Sequence, residues 1–273
     1  MREWSTTLTK RSDMAKKRRI SQAERRHQDY LRKKGLAVGK VYEGKLLKAR
    51  RAEVKRVLLR CRDYGDPEQW PTVIDAMLDE SGYYYDWMRG LYLNAGLPRA
   101  KSITRDLSRS KAEDPSGMWE AELTKYARQR AGDNIVIVEG TLKDELKKIL
   151  RDRMDVEDVV GVEKLTQQVF RDYGKIAEWM VRRIAQTETM VGLAQAGAIA
   201  ADTLDVGFTK QWSAVLIRTR ESHLQMDGVE IDQDDLFEVG EERAQMRWPH
   251  DDAFGAPAGE IINCACDVIR RPK

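Results

Sequence analysis

Residues 175–201 read KIAEWMVRRIAQTETMVGLAQAGAIAA, a pattern that predicts one long helix. Apolar side chains recur four and seven residues apart at Ile176, Met180, Ile184 and Val191, and this spacing places them on one helix face. The second half, residues 192–201, is almost entirely small and apolar. Such a surface lets a neighbouring helix approach closely. The segment therefore predicts a helix packed against other helices, within the molecule or from another subunit.

Helical patterns also occupy most of the chain upstream of this segment. Aromatic and aliphatic residues between Pro67 and Leu97 predict two helices that pack into a core, split near Ser81–Gly82 and stopped by Gly96 and Pro98. A capping-box-like pair, Thr141 with Asp144, predicts the start of another helix. Two more helices are predicted over residues 118–131 and 162–173, and a short strand-like run over residues 135–138.

After residue 205 the pattern changes to short strands and turns. Alternation from Phe208 to Leu216 predicts a strand, Asp227–Gly228 predicts a tight turn into a second strand, and Val268–Ile269 predicts a last one. The fold class is therefore mostly α, with a helical N-terminal and middle region followed by a small C-terminal α+β domain. The predicted domains are a basic arm and helix (1–60), a helical region (61–204) and the α+β domain (205–273).

The charge is distributed unevenly along the chain. Residues 1–60 contain 20 Lys and Arg but 6 Asp and Glu, a net charge of +14, whereas the whole chain carries +3, so the remaining residues carry −11. Charge runs often form a solvated helix face. The alternative is a cationic arm that binds a polyanion by counterion release, without regard to sequence. From about Ser21 the arm looks helical, although Gly35, Gly39 and Gly44 favour breaks or order gained only on a partner. The predicted nucleic-acid contacts are Lys16, Lys17, Arg18, Arg19, Arg25, Arg26, Lys33 and Lys34.

Two histidines and two cysteines form a group with the side chains that zinc prefers: His223, His250, Cys264 and Cys266. The spacing of the two cysteines is narrower than the usual zinc knuckle, so both can face one ion only if the backbone turns. The alternative is a set of buried groups whose hydrogen bonds hold a loop. We therefore expect no cofactor, and keep zinc on His223, Cys264 and Cys266 as a possible exception. Together with Cys61, three cysteines are too few for a disulfide framework, which favours a reducing compartment.

Signals for catalysis and for membranes are weak. Arg220, His223 and Asp227 could form an acid–base cluster, but the sequence has no nucleophile elbow, Walker-type loop or dinucleotide fingerprint. We predict that the chain is not an enzyme. The alternative is a metal-assisted nuclease or transferase centred on Arg220 and His223, and a third hypothesis, a DNA-binding regulator, lacks a helix-turn-helix or finger. Residues 192–201 are too short to span a bilayer, and residues 1–13 lack the apolar core of a signal peptide.

A set of short motifs in the second half of the chain resembles the Mu F-like head morphogenesis family of tailed bacteriophages. The set comprises IAQTET at 184–189, Arg-x-x-His, Asp-Gly, Trp-Pro and Asn-Cys-x-Cys, and the resemblance covers about residues 140–270. It assigns structural roles to the motif residues Arg220, His223, Asp227, Gly228, Pro249, Asn263, Cys264 and Cys266. Ala265 stands where the family commonly has Arg, and His250 where it usually has a small residue.

The resemblance implies a minor head protein at the portal vertex or the inner capsid surface. Its expected partners are the portal protein, the major capsid or scaffold protein, and packaged double-stranded DNA bound without sequence specificity, with no membrane. The implied location is the virion head, assembled in the cytoplasm of the bacterial host. The cationic arm is consistent with a position against packaged DNA.

Overall fold

A computed structural model describes residues 16–77, 82–107, 115–154, 161–204, 206–216 and 219–273, without the side chains of residues 16, 82 and 133–139. The first part consists of a two-residue strand and five helices: β1 Lys16–Lys17, α1 Gln22–Tyr64, α2 Trp70–Met77, α3 Gly82–Leu107, α4 Ser116–Met154 and α5 Val162–Asp202. The second part alternates short strands and helices: β2 Phe208–Ser213, α6 Glu221–Met226, β3 Val229–Asp232, β4 Phe237–Val239, β5 Ala244–Met246, α7 Ala258–Ile261 and β6 Asp267–Pro272. The predicted fold class, mostly α with a small C-terminal α+β domain, is confirmed.

Helix α1 begins where the sequence predicts and then continues without the predicted breaks. Ser21 caps it, with reciprocal hydrogen bonds between Ser21 and Glu24 that form a capping box. Gly35 and Gly39 are buried against α5, where an added Cβ would overlap Leu193 and Thr189. These glycines allow close helix approach, and the burial along α1 outweighs their low helix propensity. The predicted breaks are therefore wrong.

Further predicted boundaries are also absent. Helix α3 passes through Gly96 and Pro98, because Gly96 packs against α5, where an added Cβ would lie 3.0 Å from the Cβ of Ala196. Helix α4 runs unbroken through the predicted strand at 135–138 and the predicted start at Thr141. Helix α5 joins the predicted helices over 162–173 and 175–201 into one. Tertiary packing stabilises long helices across local signals that predict their ends.

Helix α5 is the central element of the helical part and packs against α1, α3 and α4. Of the predicted stripe, Ile176, Met180 and Ile184 are half-buried, and each lies one residue before the buried line of Ala177, Val181 and Ala185. The fourth residue of the stripe, Val191, is buried. The small-residue half of α5 is almost entirely buried, and its close neighbours α1 and α3 belong to the same molecule. Within the described residues, the small-residue surface of α5 therefore packs against helices of the same molecule.

Residues 206–273, hereafter the C-terminal module, form a sheet of strand order β1-β3-β2-β6 and a separate hairpin of β4 with β5, all antiparallel. The predicted strands and the turn at Gly228, with φ of 82°, are confirmed. A core around Trp212, Phe237, Met246 and Val268 lies within the module. The edge strand β1 comes from the basic segment, and Lys17 pairs with Val229. No helix in the described ranges combines the length and apolarity that a bilayer span requires.

Candidate metal centre

His223, Cys264 and Cys266 meet in one buried cluster in the C-terminal module. Helix α6 presents His223, and the loop between α7 and β6 presents both cysteines. The Nδ1 atom of His223 lies 3.2 Å from the Sγ of Cys264 and 3.5 Å from the Sγ of Cys266. The three side chains are all buried, and their ligand atoms lie within 4.8 Å of one another. The cluster could therefore hold a metal ion.

The spacing of these atoms agrees with tetrahedral zinc geometry. With Zn–S near 2.3 Å and Zn–N near 2.0 Å, neighbouring N and S ligands are about 3.5 Å apart. The two measured N···S distances, 3.2 and 3.5 Å, are close to this value. Two thiols and one imidazole are also the donor set that zinc prefers over calcium or magnesium. The residues present therefore fit the metal that their chemistry indicates.

Both cysteines can face one ion despite the narrow Cys-x-Cys spacing, because the backbone turns immediately before them. Asn263 has φ of 57°, a left-handed conformation that Asn tolerates better than most residues. Its backbone N–H donates to the Thr187 hydroxyl of α5 at 3.3 Å, and the Cys266 N–H faces the Sγ of Cys264 at 3.3 Å. Asn263 therefore has a role in the shape of the loop, while the two cysteines supply the ligand atoms.

The two thiols are electrostatically coupled. A hydrogen bond from Cys264 lowers the pKa of the Cys266 thiol, and its contact with His223 acts in the same direction. The same thiol–thiol hydrogen bond, together with burial, raises the pKa of Cys264. The pair therefore favours one thiolate and one thiol. A thiolate is the form in which cysteine binds a metal.

Glu260 completes the surroundings of the cluster, and the sequence analysis missed it. Its Oε2 lies 2.9 Å from the Nε2 of His223 and accepts a hydrogen bond from Ser222 Oγ at 2.9 Å. The predicted Arg220 lies beside it, with Nη1 3.9 Å from the same oxygen and Nη2 donating to the Ile262 carbonyl at 2.6 Å. Nothing in the sequence distinguished Glu260 from 44 other acidic residues except its place in the segment before Asn-Cys-x-Cys.

The structure places Asp227, Gly228 and Pro249 away from the metal ligands. Asp227 accepts from the Ala214 backbone N–H at 3.0 Å and pairs with Arg25 at 2.6 Å. An added Cβ at Gly228 would lie 2.7 Å from the Arg18 carbonyl oxygen, so this turn needs glycine for space as well as for its φ. Pro249 is buried in the turn after β5. These three residues hold the module together and do not contribute ligands.

His250 is buried but does not join the cluster. Its Nδ1 faces the Ile261 carbonyl at 3.3 Å and its Nε2 faces the Cys266 carbonyl at 3.4 Å. Burial lowers the pKa of His250 to about 4. The neutral ring carries one N–H and can donate to one of these two carbonyls, which lie on either side of the cysteine loop, so it supports the loop and supplies no atom to the cluster.

Some residues of the cationic segment make contacts within the protein. Arg25 pairs with Asp227, and Arg18 lies 3.8 Å from Glu230, so the module's own carboxylates face these two predicted contacts. Lys17 belongs to β1 but remains exposed. Among the other predicted contacts, Arg19, Arg26, Lys33 and Lys34 are exposed. Lys16 also belongs to β1, and its side chain lies outside the described part of the structure.

Comparison with known proteins gives one partial similarity. No protein-family model matches the chain, and no solved structure matches it. The chain is 32% identical over 113 residues to the NAD(+)--arginine ADP-ribosyltransferase EFV of Enterococcus faecalis (strain ATCC 700802 / V583). The match covers 36% of this chain and 22% of that protein, so the chain spans about a fifth of its relative's length.

This similarity contradicts one prediction. The chain was predicted not to be an enzyme, because its sequence has no nucleophile elbow, Walker-type loop or dinucleotide fingerprint. A shared segment with a protein named as an enzyme overturns that expectation. The absence of three familiar motifs does not exclude catalysis, because catalytic sites are recognised by geometry and chemistry and many lack those motifs.

Proposed function

We propose that this protein is a minor head protein of a tailed bacteriophage that associates with the portal vertex or the inner capsid surface. The observation that carries the proposal is the convergence of the motif set. Arg220, His223, Cys264 and Cys266 come from two segments about 40 residues apart in sequence, and they meet around one buried cluster. The expected protein partners are the portal protein and the major capsid or scaffold protein, and the expected location is the virion head.

The basic segment supports contact with packaged DNA. Arg26, Lys33 and Lys34 lie exposed on α1, and further exposed cations, among them Lys40, Lys48 and Lys55, continue along the same helix. Fixed cations along a rod bind the phosphates of a duplex through counterion release, which requires no base contacts. The proposed DNA contact is therefore independent of sequence and weakens steeply with salt.

Zinc is the proposed ion of the His223–Cys264–Cys266 cluster. When bound, it would crosslink α6 to the loop before β6 and thereby stabilise the module. His223, Cys264 and Cys266 would hold the ion, and the surrounding hydrogen bonds would orient them. The role proposed for the ion is architectural, in agreement with the burial of all three ligands.

Copurification tests the head assignment. We expect the protein in procapsids and in purified mature heads, detected by mass spectrometry at a constant ratio to the portal protein. Heads produced from a phage lacking this chain should be defective or non-infectious. Absence of the chain from both procapsids and mature heads would refute the proposal.

A charge-matched pair of variants tests the DNA contact. The triple variant Arg26→Gln, Lys33→Gln, Lys34→Gln should bind a random-sequence duplex less tightly, because each lost phosphate contact reduces the salt dependence by about 0.9 in the log–log slope. The control variant Lys125→Gln, Lys164→Gln, Arg171→Gln removes the same charge from exposed positions on α4 and α5. Equal loss in both variants would show that net charge, rather than the α1 surface, governs binding.

A second candidate function is a transferase centred on Arg220 and His223, and the similarity to an NAD(+)--arginine ADP-ribosyltransferase favours it. The direct test is incorporation of labelled ADP-ribose from NAD into arginine or an arginine-containing protein. Activity that is lost in folded Arg220→Ala and His223→Ala variants would support this candidate. No incorporation under conditions that support a known transferase of this type would count against it.

A further inference from the structure

We infer that Glu260 is the positioning residue of the metal centre: its carboxylate accepts the Nε2–H of His223 and so turns the Nδ1 atom toward the ion. The inference rests on the zinc proposed above. It concerns a residue that supplies no ligand atom. The two sulfur atoms lie beside one nitrogen of the imidazole ring and the Glu260 carboxylate lies beside the other.

The two ring nitrogens of His223 face different environments. Nδ1 lies between the two sulfur atoms, at 3.2 and 3.5 Å, whereas Nε2 lies 2.9 Å from the Oε2 of Glu260. The Nε2 atom is buried, and within the described residues it has no aligned hydrogen-bond partner. At 2.9 Å, the Glu260 oxygen is close enough to accept the proton of this nitrogen.

A neutral imidazole carries one N–H and one lone pair, so the position of its proton decides which nitrogen can bind a metal. A carboxylate at Nε2 stabilises the tautomer with hydrogen on Nε2. That tautomer leaves the Nδ1 lone pair directed at the sulfur atoms, where the ion would lie. Metal-binding histidines commonly donate their second N–H to a carboxylate in this way, and loss of that partner costs metal affinity.

The surrounding residues hold the Glu260 carboxylate in place. Ser222 donates to Oε2 at 2.9 Å, and Arg220 lies 3.9 Å from the same oxygen. Gly240 leaves room for the other oxygen, because an added Cβ there would lie 3.1 Å from Oε1. Arg220 also donates to the Ile262 carbonyl, which connects this carboxylate to the segment leading into the cysteines. The orientation of Glu260 is therefore built into α6, α7 and the loop after β4.

The experiment measures zinc affinity of the full chain by competition with a chromophoric chelator, with zinc alone as the probe. Glu260→Ala should weaken zinc binding by about 10- to 100-fold. Glu260→Gln should restore part of that loss, because its amide oxygen can accept the same N–H. Glu238→Ala is the matched control, because this exposed carboxylate of the same module pairs with Arg243 at the surface and should leave zinc affinity unchanged.

A second measurement does not depend on the fold of any variant. Long-range proton–nitrogen correlation spectra of the zinc-loaded wild-type chain report which nitrogen of His223 carries hydrogen. We expect hydrogen on Nε2. Hydrogen on Nδ1 would overturn the inference, including the case in which Glu260→Ala fails to fold.

The outcomes separate this inference from the proposals beneath it. If the wild type binds one zinc and Glu260→Ala binds it equally well, the positioning role is overturned and the zinc site stands. If the wild type binds no zinc, both are overturned, and the head assignment is still decided by copurification.

Discussion

The close approach of helices in the helical part and the packing around His223 in the C-terminal module depend on opposite side-chain features. In the helical part, the closest contacts occur where a side chain is missing, as at Gly39 against α5 and at Gly192 against Tyr92. In the module, large rings surround a polar group: Trp212 lies edge-on to both His223 and Phe237, with centroids 5.1 and 5.2 Å apart. The close helix approaches depend on the absence of side-chain volume at these glycines, and the packing around His223 depends on the presence of the Trp212 ring, so opposite substitutions at these positions should be damaging.

Charged groups join the two regions. Arg130 of α4 pairs with Glu188 of α5 and with Asp252 of the module, each at 2.7 Å. At the other side, Arg25 pairs with Asp227, and Arg271 pairs with Glu24, each at 2.6 Å. Ion pairs therefore connect the two regions at several points. The predicted division at residues 60 and 204 stays a prediction, although α1 continues to Tyr64.

The largest effect is expected from removing volume in the module. Trp212 is fully buried, so Trp212→Ala should destabilise the module by about 3 to 5 kcal/mol through lost burial and a residual cavity. Limited proteolysis should show loss of the protease-resistant C-terminal fragment, and thermal unfolding should show the lower stability. Trp179→Ala is the control, because that ring is 60% exposed and its removal should change little. Equal behaviour of the two variants would contradict the proposed packing.

A smaller effect is expected from adding volume to the helical part. An added Cβ at Gly192 would lie 2.8 Å from Cδ1 of Tyr92, a buried ring whose hydroxyl donates to Glu188 and so has little freedom to move. Gly192→Ala should therefore destabilise the protein by about 1 to 3 kcal/mol by overpacking.

The matched control is Gly44→Ala, in an exposed part of α1 with nothing near the added Cβ. It should stabilise the chain by about 0.5 to 1 kcal/mol, because alanine is the better helix former. Urea unfolding monitored by circular dichroism measures both. Stabilisation by both substitutions would show that α3 and α5 are not in close contact.

The smallest effect concerns the junction and depends on pH. Burial alone would raise the pKa of Glu24, but hydrogen bonds from Ser21 and Arg271 outweigh it and lower that pKa from 4.5 to about 2. Because the folded-state pKa is below the unfolded one, this stabilisation is present above pH 4.5 and is lost as the pH falls toward 2. The stability difference between wild type and Glu24→Gln should shrink over this range in urea titrations. A constant difference would contradict the ion pair.

Local signals predicted the elements of the module better than the lengths of the helices. Helix α1 begins beside Ser21, where the sequence predicted helix, and Gly228 formed the predicted turn, because the cap and the turn both act through neighbouring backbone groups. Gly35, Gly96 and Pro98 predicted helix ends that do not exist. The signals of the two glycines were outweighed by burial against α5, which depends on residues about 100 or more positions away along the chain, whereas Pro98 lies exposed within α3.

At the candidate metal centre, too, local sequence predicted some features and only the folded structure determined others. The residue types of His223, Cys264 and Cys266 indicated a group that could hold a metal ion, and the structure brings these three side chains together. Glu260 and the separation of His250 from the cluster could not be predicted, because spacing along the chain does not tell which side of a ring a carboxylate occupies. No sequence motif indicated the similarity to a transferase.

The sequence alone determined the helical content, the strand–turn pattern after residue 205 and the inventory of metal-binding side chains, because these follow from periodicity, caps and side-chain chemistry. The tertiary structure decided where helices end, which cations are used inside the protein and which carboxylate faces His223. Arg25 illustrates the reason: in sequence it is one more arm cation, and only folding places Asp227 beside it at 2.6 Å. Contacts between residues far apart in the sequence form only when the chain packs, so local sequence patterns do not predict them.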